Sequence, residues 1–479
     1  MSSAPRPPRA SPLTRAALAA ADSARAQAPP VRIVHIGLGV FHRAHQACYT
    51  DRAADAAQWG IAAFTGRRPQ AALELARQDG LYTLIERGPD RDEAAVVASI
   101  VAALDGGEVA SFLELLSSPA TAIVTTTVTE AGYRLDPSGQ PNAGDPVLAA
   151  DMRDIAAAAG RANLLGPAGS EPRSALGRLV LGLEARRRAG GGPIAIVPCD
   201  NIPGNGAFVA AGLAAIAART GAELGAWIDA NVSFVSTSVD RITPKTTPAD
   251  LRSATALTGW QDRAAVVTEP FKDWVLSGEF PAGRPAWESA GARFVNDIEP
   301  FERRKLWLLN GAHSLLAYAG LRRGHQTVAQ AMADPRCLER VQEFWDEAER
   351  QLPAAQLDLP SYRAALVERF ENPRIEYRLR QIATDGVAKL RVRIAPVVLA
   401  ERADGRDAAA SLVALGSWLA LILAGAEFAD TEAAAIGAAS RKPRRAAIGA
   451  LVSLVEPRLL DDESVMASLG RIATQAGSE

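Results

Sequence analysis

A lysine, an asparagine and a histidine fall within one apolar stretch, Lys305, Asn310 and His313 of Pro300-Phe-Glu-Arg-Arg-Lys-Leu-Trp-Leu-Leu-Asn-Gly-Ala-His-Ser. Read as a helix at about 100° per residue, the three side chains share an arc of about 140°. Leu306, Trp307, Leu308, Leu309, Leu315 and Leu316 would bury much of that helix. A lysine whose ammonium loses water has a lowered pKa, which suits it to general base work. Taken alone, the segment reads more readily as a solvated lysine, a capping asparagine and a satisfied histidine.

Two further candidates sit at the ends of β-rich runs, where open α/β sheets place ligand-binding residues. Asn201 follows one such run in Cys199-Asp200-Asn201, and Asp240 closes another in Val239-Asp240-Arg241-Ile242. A buried acid at Asp240 would position a substrate hydroxyl or pair with Arg241. A third run, Val31 to Ile36, ends in Gly37-Leu38-Gly39-Val40-Phe41-His42. Two glycines there let a strand turn sharply and let a pyrophosphate approach bare backbone. His42 stands where the usual fingerprint has its third glycine, so the pattern alone fits either a cofactor cradle or a structural strand-to-helix turn. No acidic residue follows at Ala62-Ala63-Phe64-Thr65-Gly66, and Arg67-Arg68 come next. They would meet the 2′-phosphate of NADP or stand as exposed charge, which leaves NAD and NADP both open. His42, His45 and Cys48, spaced by three, would bring potential metal ligands to neighbouring helical turns. No fourth ligand lies nearby, and contact with phosphate or packing is simpler work for them, so no metal is expected.

The elements that must position these groups follow from the remaining pattern. A helical segment is expected from His42 to Asp55, and further β-rich runs at Gly60 to Thr65, Ala122 to Val128, Ile194 to Pro198 and Val232 to Val239, with Ala- and Leu-rich stretches between. This order describes an α/β sheet. Two connections dense in turn formers, from Asp136 and from Gly166, read as surface loops. After about Asp297 helical periodicity dominates to the end, so the fold class is α/β, a dinucleotide-binding type of domain over residues 31–296 followed by a mostly helical domain over 297–479. Residues 1–30, rich in Ala, Pro and Arg, read as a flexible arm; Arg15 and Asp22 interrupt any apolar core a signal peptide would need.

With 479 residues, 48% hydrophobic and 22% charged, the chain has the composition of an ordinary two-domain globular protein. Against 54 acidic residues stand 52 basic ones, a net charge of -2, so no global field argues for nucleic acid or membrane. The basic run Arg441 to Arg445 reads as a solvated loop between helices. Cys48, Cys199 and Cys337, odd in number and widely spaced, fit a reducing, cytoplasmic compartment. The most apolar stretch, Leu412 to Ala426, reads as a short buried helix rather than a membrane span.

Together these residues resemble the long-chain mannitol dehydrogenase family of polyol dehydrogenases and uronate reductases. The resemblance runs from Ile33 to at least Lys389 and rests on Gly37 through Gln46, Thr127-Val-Thr-Glu-Ala-Gly-Tyr133, Cys199-Asp-Asn201, Val239-Asp-Arg-Ile-Thr-Pro244, Glu269-Pro270, Gly283-Arg-Pro-Ala-Trp287 and Lys305 through His313. It implies a Rossmann-type domain, a helical second domain, and metal-free hydride transfer between a carbinol carbon and the nicotinamide of NAD, NADP not excluded. It assigns Lys305 as general base or acid, Asn201 and Asn310 as donors to the oxygen that becomes alkoxide-like, His313 and Asp240 as groups orienting hydroxyls, and Glu302 as a proton path. It places Gly37, Gly39, Phe41, His42, Arg67 and Thr127 on the cofactor. The implied partner is a small polyol, ketose or ketouronate; family members are often monomers. A zinc-dependent polyol dehydrogenase would need a Cys/His ligand set that the sequence lacks. A non-catalytic sensor of nucleotide or sugar would need a disrupted site.

For the substrate, Lys389 matches a substrate-contacting lysine of the family. Eight residues earlier, mannitol 2-dehydrogenases carry an arginine and fructuronate reductases a glutamine within Gln-Ile-Ala-x-Asp-Gly; this chain has Gln381. That favours the D-mannonate/D-fructuronate pair. Tyr377 in place of a histidine, and Leu390-Arg391 in place of Leu-Pro, argue the other way and keep a hexitol or hexitol phosphate in play, as for a mannitol 2-dehydrogenase or a mannitol-1-phosphate 5-dehydrogenase. Arg378 or Arg380 would meet a carboxylate or phosphate, or be surface charge.

Overall fold

A computed structural model describes residues 10–142, 144–165, 171–219 and 221–475. The loop expected from Gly166 lies mostly outside the described residues. The chain divides into two compact units, Met1–Ile298 and Glu299–Glu479.

The first unit is built on six strands: β1 (Val31–Ile36), β2 (Gly60–Phe64), β3 (Ile100–Leu104), β4 (Ile123–Thr126), β5 (Ile194–Pro198) and β6 (Val232–Phe234). Every pairing is parallel and the order is β3-β2-β1-β4-β5-β6, the doubly wound arrangement whose strand order reverses between β1 and β4. Both faces of the sheet are covered, as a parallel sheet requires. Ile33, Ile61, Ile123, Ala195 and Val197 enter one core. Their neighbours Val34, Phe64, Val124, Ile194 and Ile196 enter the other. Alternation of two apolar cores explains why these runs show no polar face in the sequence.

The run expected from Val232 to Val239 divides. Its second half, β7 (Ser236–Asp240), leaves the parallel sheet and pairs antiparallel with Asp273–Ser277. Strands the sequence left unassigned, Tyr82–Arg87, Asp92–Val97 and Val266–Thr268, form a separate three-stranded sheet. The segment expected as a helix from His42 to Asp55 starts earlier and breaks: α1 (Val40–Ala44) ends at His45, whose φ of -115° and ψ of -91° interrupt the winding before α2 (Gln46–Arg52).

Residues 10–30 correct the expected arm. Ser11–Pro12 pairs with Trp260–Gln261, and two short helices follow. Leu13 and Leu18 join Leu81 and Ala98 in a small core. Arg15, which the sequence read as an interruption, is the pin: its Nη2 donates to Ala98 O at 2.8 Å and Ile100 O at 3.1 Å.

The second unit is helical, with no strand longer than an isolated bridge among its described residues. The apolar stretch near Leu412 forms a helix, Ala409–Leu423, buried along most of its length. Among the described residues no helix is long and apolar enough to cross a membrane. The basic run lies between helices Ala433–Ser440 and Arg444–Val455.

Because Leu13 is wholly buried, Leu13→Ala should destabilise the protein by about 2–5 kcal/mol. Urea unfolding checks this; an unchanged midpoint would mean that residues 10–30 fray in solution.

Candidate functional site

In the first unit the site is built around the point where the strand order reverses. Gly37 follows β1 with φ +109°, a backbone that only glycine adopts readily. A Cβ there would lie 2.4 Å from Thr127 O, just past the end of β4. The two chain segments therefore meet as bare backbone, which is the cradle a pyrophosphate needs.

A hydrogen-bonded group holds this approach from behind. Thr127 Oγ1 donates to Gly37 O at 2.8 Å, so its one proton is used and it accepts from His35 Nε2 at 3.1 Å. His35 Nδ1 then accepts from Thr125 Oγ1 at 2.8 Å, which defines the neutral tautomer. The His42 ring stacks on His35, centroids 3.4 Å apart and nearly parallel. His42 is 0% exposed. This corrects the expected place of its ring: the imidazole packs behind the turn, and only the His42 backbone at the start of α1 faces the cradle side. Phe41 stacks on His45 at 5.1 Å, and His45 Nε2 lies 3.0 Å from Asp273 O. The rings expected as possible metal ligands are thus engaged in packing and backbone contacts, and Cys48 lies 3.6 Å from Arg241. Gly39 caps α1, and Arg67 is exposed on the loop after β2.

Asn201 and Asp240 come from β5 and β7, and residues missed in the sequence hold them. Asn205, wholly buried, donates from its amide to Thr237 O at 3.0 Å and Pro198 O at 3.2 Å and accepts from Thr237 N at 2.8 Å. This ties the end of β5 to the strand that carries Asp240. On the other side Tyr133 donates to Asp200 Oδ2 at 2.6 Å and shares a 2.7 Å hydrogen bond with Thr126 Oγ1. Burial pushes the Asp200 carboxyl up, and the Tyr133 hydrogen bond opposes that. Arg241, one of the two partners considered for Asp240, is bound to Glu86 and, at 2.6 Å, to Ala44 O. Nothing in the run Asn201-Ile-Pro-Gly-Asn205 distinguished the asparagine that clamps from the one that was singled out.

In the second unit the helix expected through Lys305, Asn310 and His313 exists with a different winding. After Glu299–Arg304 it becomes a π-helix over Lys305–Gly311 and returns to α-helix over Ala312–Arg322. On α winding Lys305 and Asn310 lie about 140° apart. A π turn bonds residue i to i+5, so it winds this pair towards the same side of the helix; such insertions are rare and frequent at functional sites. The displaced carbonyls are met from outside. Leu308 O accepts from Trp345 Nε1 at 2.8 Å, and Asn310 O accepts from Arg393 Nη1 at 3.3 Å. Gly311 permits this packing, since a Cβ there would sit 2.6 Å from the Phe344 ring.

His313 is buried between Phe370, 4.6 Å away, and the edge of Tyr377, 5.0 Å away. Lys305, Glu302 and Asn310 are half-buried. Lys389 donates to Ile382 O at 3.0 Å and Thr384 Oγ1 at 3.2 Å, so it braces the Gln381–Thr384 turn. Burial lowers its pKa, and the Arg393 charge lowers it further. Gln381 is exposed; Arg380 turns to Glu427 O and the Phe428 ring, and Arg378 pairs with Glu376, which leaves both on the surface. His325, Asp334 and Cys337 offer ligand atoms within 4.8 Å of one another. However, Asp334 Oδ2 already takes Arg323 Nε at 2.5 Å and His325 Nε2 at 2.9 Å, and its other oxygen caps a helix.

Residues 31–289 match the mannitol dehydrogenase Rossmann domain, and residues 297–435 the mannitol dehydrogenase C-terminal domain. The D-mannonate oxidoreductase of Escherichia coli is 37% identical over 82% of this chain and 79% of its own length. The D-arabinitol 4-dehydrogenase of Ralstonia nicotianae is 38% identical over 82% of each. Among solved structures, the Pseudomonas fluorescens mannitol 2-dehydrogenase, in ternary complex with NAD and D-mannitol, is 34% identical with a TM-score of 0.75, covering 94% of this chain and 92% of that one.

The histidines behind the glycine turn make a pH prediction. Burial lowers His35 and His45 to about 3 and His42 well below its ordinary value. Unfolded histidines titrate near 6.5, so below that pH the unfolded chain binds protons that the folded one refuses. Stability is then fully present above about pH 6.5 and declines as pH falls towards the folded values. The urea midpoint should drop between pH 7.5 and pH 5, with a shallower drop in His35→Gln; equal midpoints would count against burial of neutral rings.

With both domains matched across the two units, the chain belongs to the mannitol dehydrogenase family and is an oxidoreductase of that family.

Proposed function

We propose that this protein interconverts a secondary alcohol on a sugar chain with its 2-ketone, using NAD, and that D-mannonate and D-fructuronate are its substrate pair. The observation that carries the chemistry is the π winding over Lys305–Gly311, which turns Lys305 and Asn310 towards one side of the helix. Lys305 is the general base in alcohol oxidation and the general acid in ketone reduction. Asn310 and Asn201 donate hydrogen bonds to the oxygen on which negative charge grows, where preorganised donors have most effect. His313 and Asp240 orient neighbouring hydroxyls, and Glu302, one turn before Lys305, passes its proton to solvent. Donors and a lysine in these roles do the work that a zinc ion does in other alcohol dehydrogenases, so the reaction runs without metal.

The nicotinamide cofactor, when bound, accepts or supplies the hydride. The bare-backbone approach of Gly37 to Thr127 fits its pyrophosphate, and Gly39 and Phe41 continue the same turn. NAD is supported by its presence in the Pseudomonas fluorescens relative. Arg67, exposed beside the turn, makes NADP the comparison to run. The uronate pair is supported by Gln381 and by the likeness to D-mannonate oxidoreductase. A mannitol/fructose reading is favoured by the similarity to the mannitol-bound structure and by Tyr377.

Lys305→Ala should cut turnover by more than about 100-fold, in line with loss of a general acid–base group, and leave NADH affinity intact by fluorescence titration; undiminished turnover sinks the assignment. Gly37→Ala should abolish NADH binding, and a variant that still binds would place the cofactor elsewhere. Rates of NADH and NADPH oxidation with fructuronate, fructose and fructose 6-phosphate, with and without chelator, test substrate, cofactor and metal together. Fructuronate at least tenfold ahead, with no effect of chelator, is the expected result.

A further inference from the structure

Arg393 is a half-buried charge that the mechanism above leaves unused. It closes the helix Gly386–Arg393, one turn beyond Lys389, at a rise of about 1.5 Å per residue. Its Nη1 donates to Asn310 O and to Ser314 Oγ, each at 3.3 Å. The guanidinium therefore lies against the π turn that carries Asn310 and against Ser314, the residue that follows His313. Among the described residues no carboxylate pairs with it, and its Nε and Nη2 make no hydrogen bond. Burial lowers its pKa, and the groups that act on it in the opposite direction are the hydroxyls of Tyr377 and Tyr318.

Two cations four residues apart on one helix repel each other, and a half-buried guanidinium without a counter-ion is costly. Such a pair is stabilised by an anion. The shape of the open edge narrows the choice: Nε–H and Nη2–H are parallel donors at the spacing of two carboxylate oxygens, the bidentate fit that arginine makes and lysine does not. A neutral hexitol would leave that edge unanswered.

We infer that Arg393, with Lys389 behind it, forms the subsite for the carboxylate at the far end of a ketouronate, and so sets the preference for an acidic over a neutral sugar chain. This rests on the oxidoreductase reading above and deepens it, because it assigns the uronate selectivity to a residue other than Gln381. Lys389 contributes charge while its ammonium braces the Gln381–Thr384 turn. Arg393 contributes the directed pair of hydrogen bonds.

The test compares wild type with Arg393→Gln and Arg393→Lys on fructuronate, fructose and fructose 6-phosphate, with NADH affinity and melting temperature measured alongside. The expected result for Arg393→Gln is a loss of at least 50-fold in kcat/KM for fructuronate, dominated by KM, and a loss at least tenfold smaller for fructose, carried by kcat through the released Asn310 carbonyl. Arg393→Lys should recover only a small part, and added ethylguanidinium should restore fructuronate reduction in Arg393→Ala. Equal losses on fructuronate and fructose would overturn the inference, since Arg393 would then serve only the Asn310 carbonyl; so would an unchanged fructuronate KM. A wild type that favours fructose 6-phosphate, with the preference lost in Arg393→Gln, would overturn the carboxylate and identify a phosphate subsite. If wild type prefers fructose, the uronate reading of the function fails on its own account. Inhibition of fructose reduction by D-gluconate still reads the anion site in that case, and equal inhibition constants in wild type and Arg393→Gln overturn it.

Discussion

The first unit depends on one close approach, that of Gly37 to the carbonyl of Thr127. It can exist only because residue 37 has no Cβ and adopts a positive φ. Where the two parallel halves of the sheet diverge, this contact keeps the ends of β1 and β4 together and leaves their backbone bare. The polar groups around it follow in sequence. His35 bridges Thr125 and Thr127; Thr126 reaches Tyr133; Tyr133 reaches Asp200; Asn205 carries the connection across to Thr237. Hydrogen bonds, joined through the consecutive residues Thr125 to Thr127, thus link the glycine turn with the strand that ends in Asp240. Most of these residues are buried, where an unmade hydrogen bond costs more than a made one contributes, so the path has little freedom to rearrange.

In the second unit the corresponding constraint is the extra residue of the π turn. Widening a helix by one residue disturbs its ladder, and the disturbed carbonyls need partners. Trp345 and Arg393 supply them, and Gly311 lets Phe344 pack close enough to fill the gap. The result is a winding that turns Lys305 and Asn310 towards one side, where ordinary α winding sets them about 140° apart. Arg393 meets the Asn310 carbonyl with one edge, which leaves its other edge for the ligand contact proposed above.

The positions of Asn201 and Asp240 at strand ends, the glycine turn after β1, and the change from α/β to helical sequence near residue 297 were all legible in the sequence. Each rests on a local signal: a run of β-branched residues, a Gly-x-Gly, a change of period. Less was legible where a local signal had two readings. Residues 10–30 had the composition of an arm, and Leu13, Leu18 and Arg15 acquire their meaning only from Leu81, Ala98 and Ile100, which are distant in sequence. His42 stood in a glycine's place in the fingerprint, and only His35 beneath it explains an imidazole there.

The types of reacting group, the two-part architecture and the order of elements are thus properties of the amino-acid sequence, because composition and periodicity write them locally. The winding of Lys305–Gly311, the clamp at Asn205, the inward turn of His42 and the counter-ion-free edge of Arg393 arise only when the chain is folded. Each depends on a partner distant in the chain, or on a helical register that side-chain spacing does not encode, and on the free-energy cost of leaving a buried polar group or charge unmet.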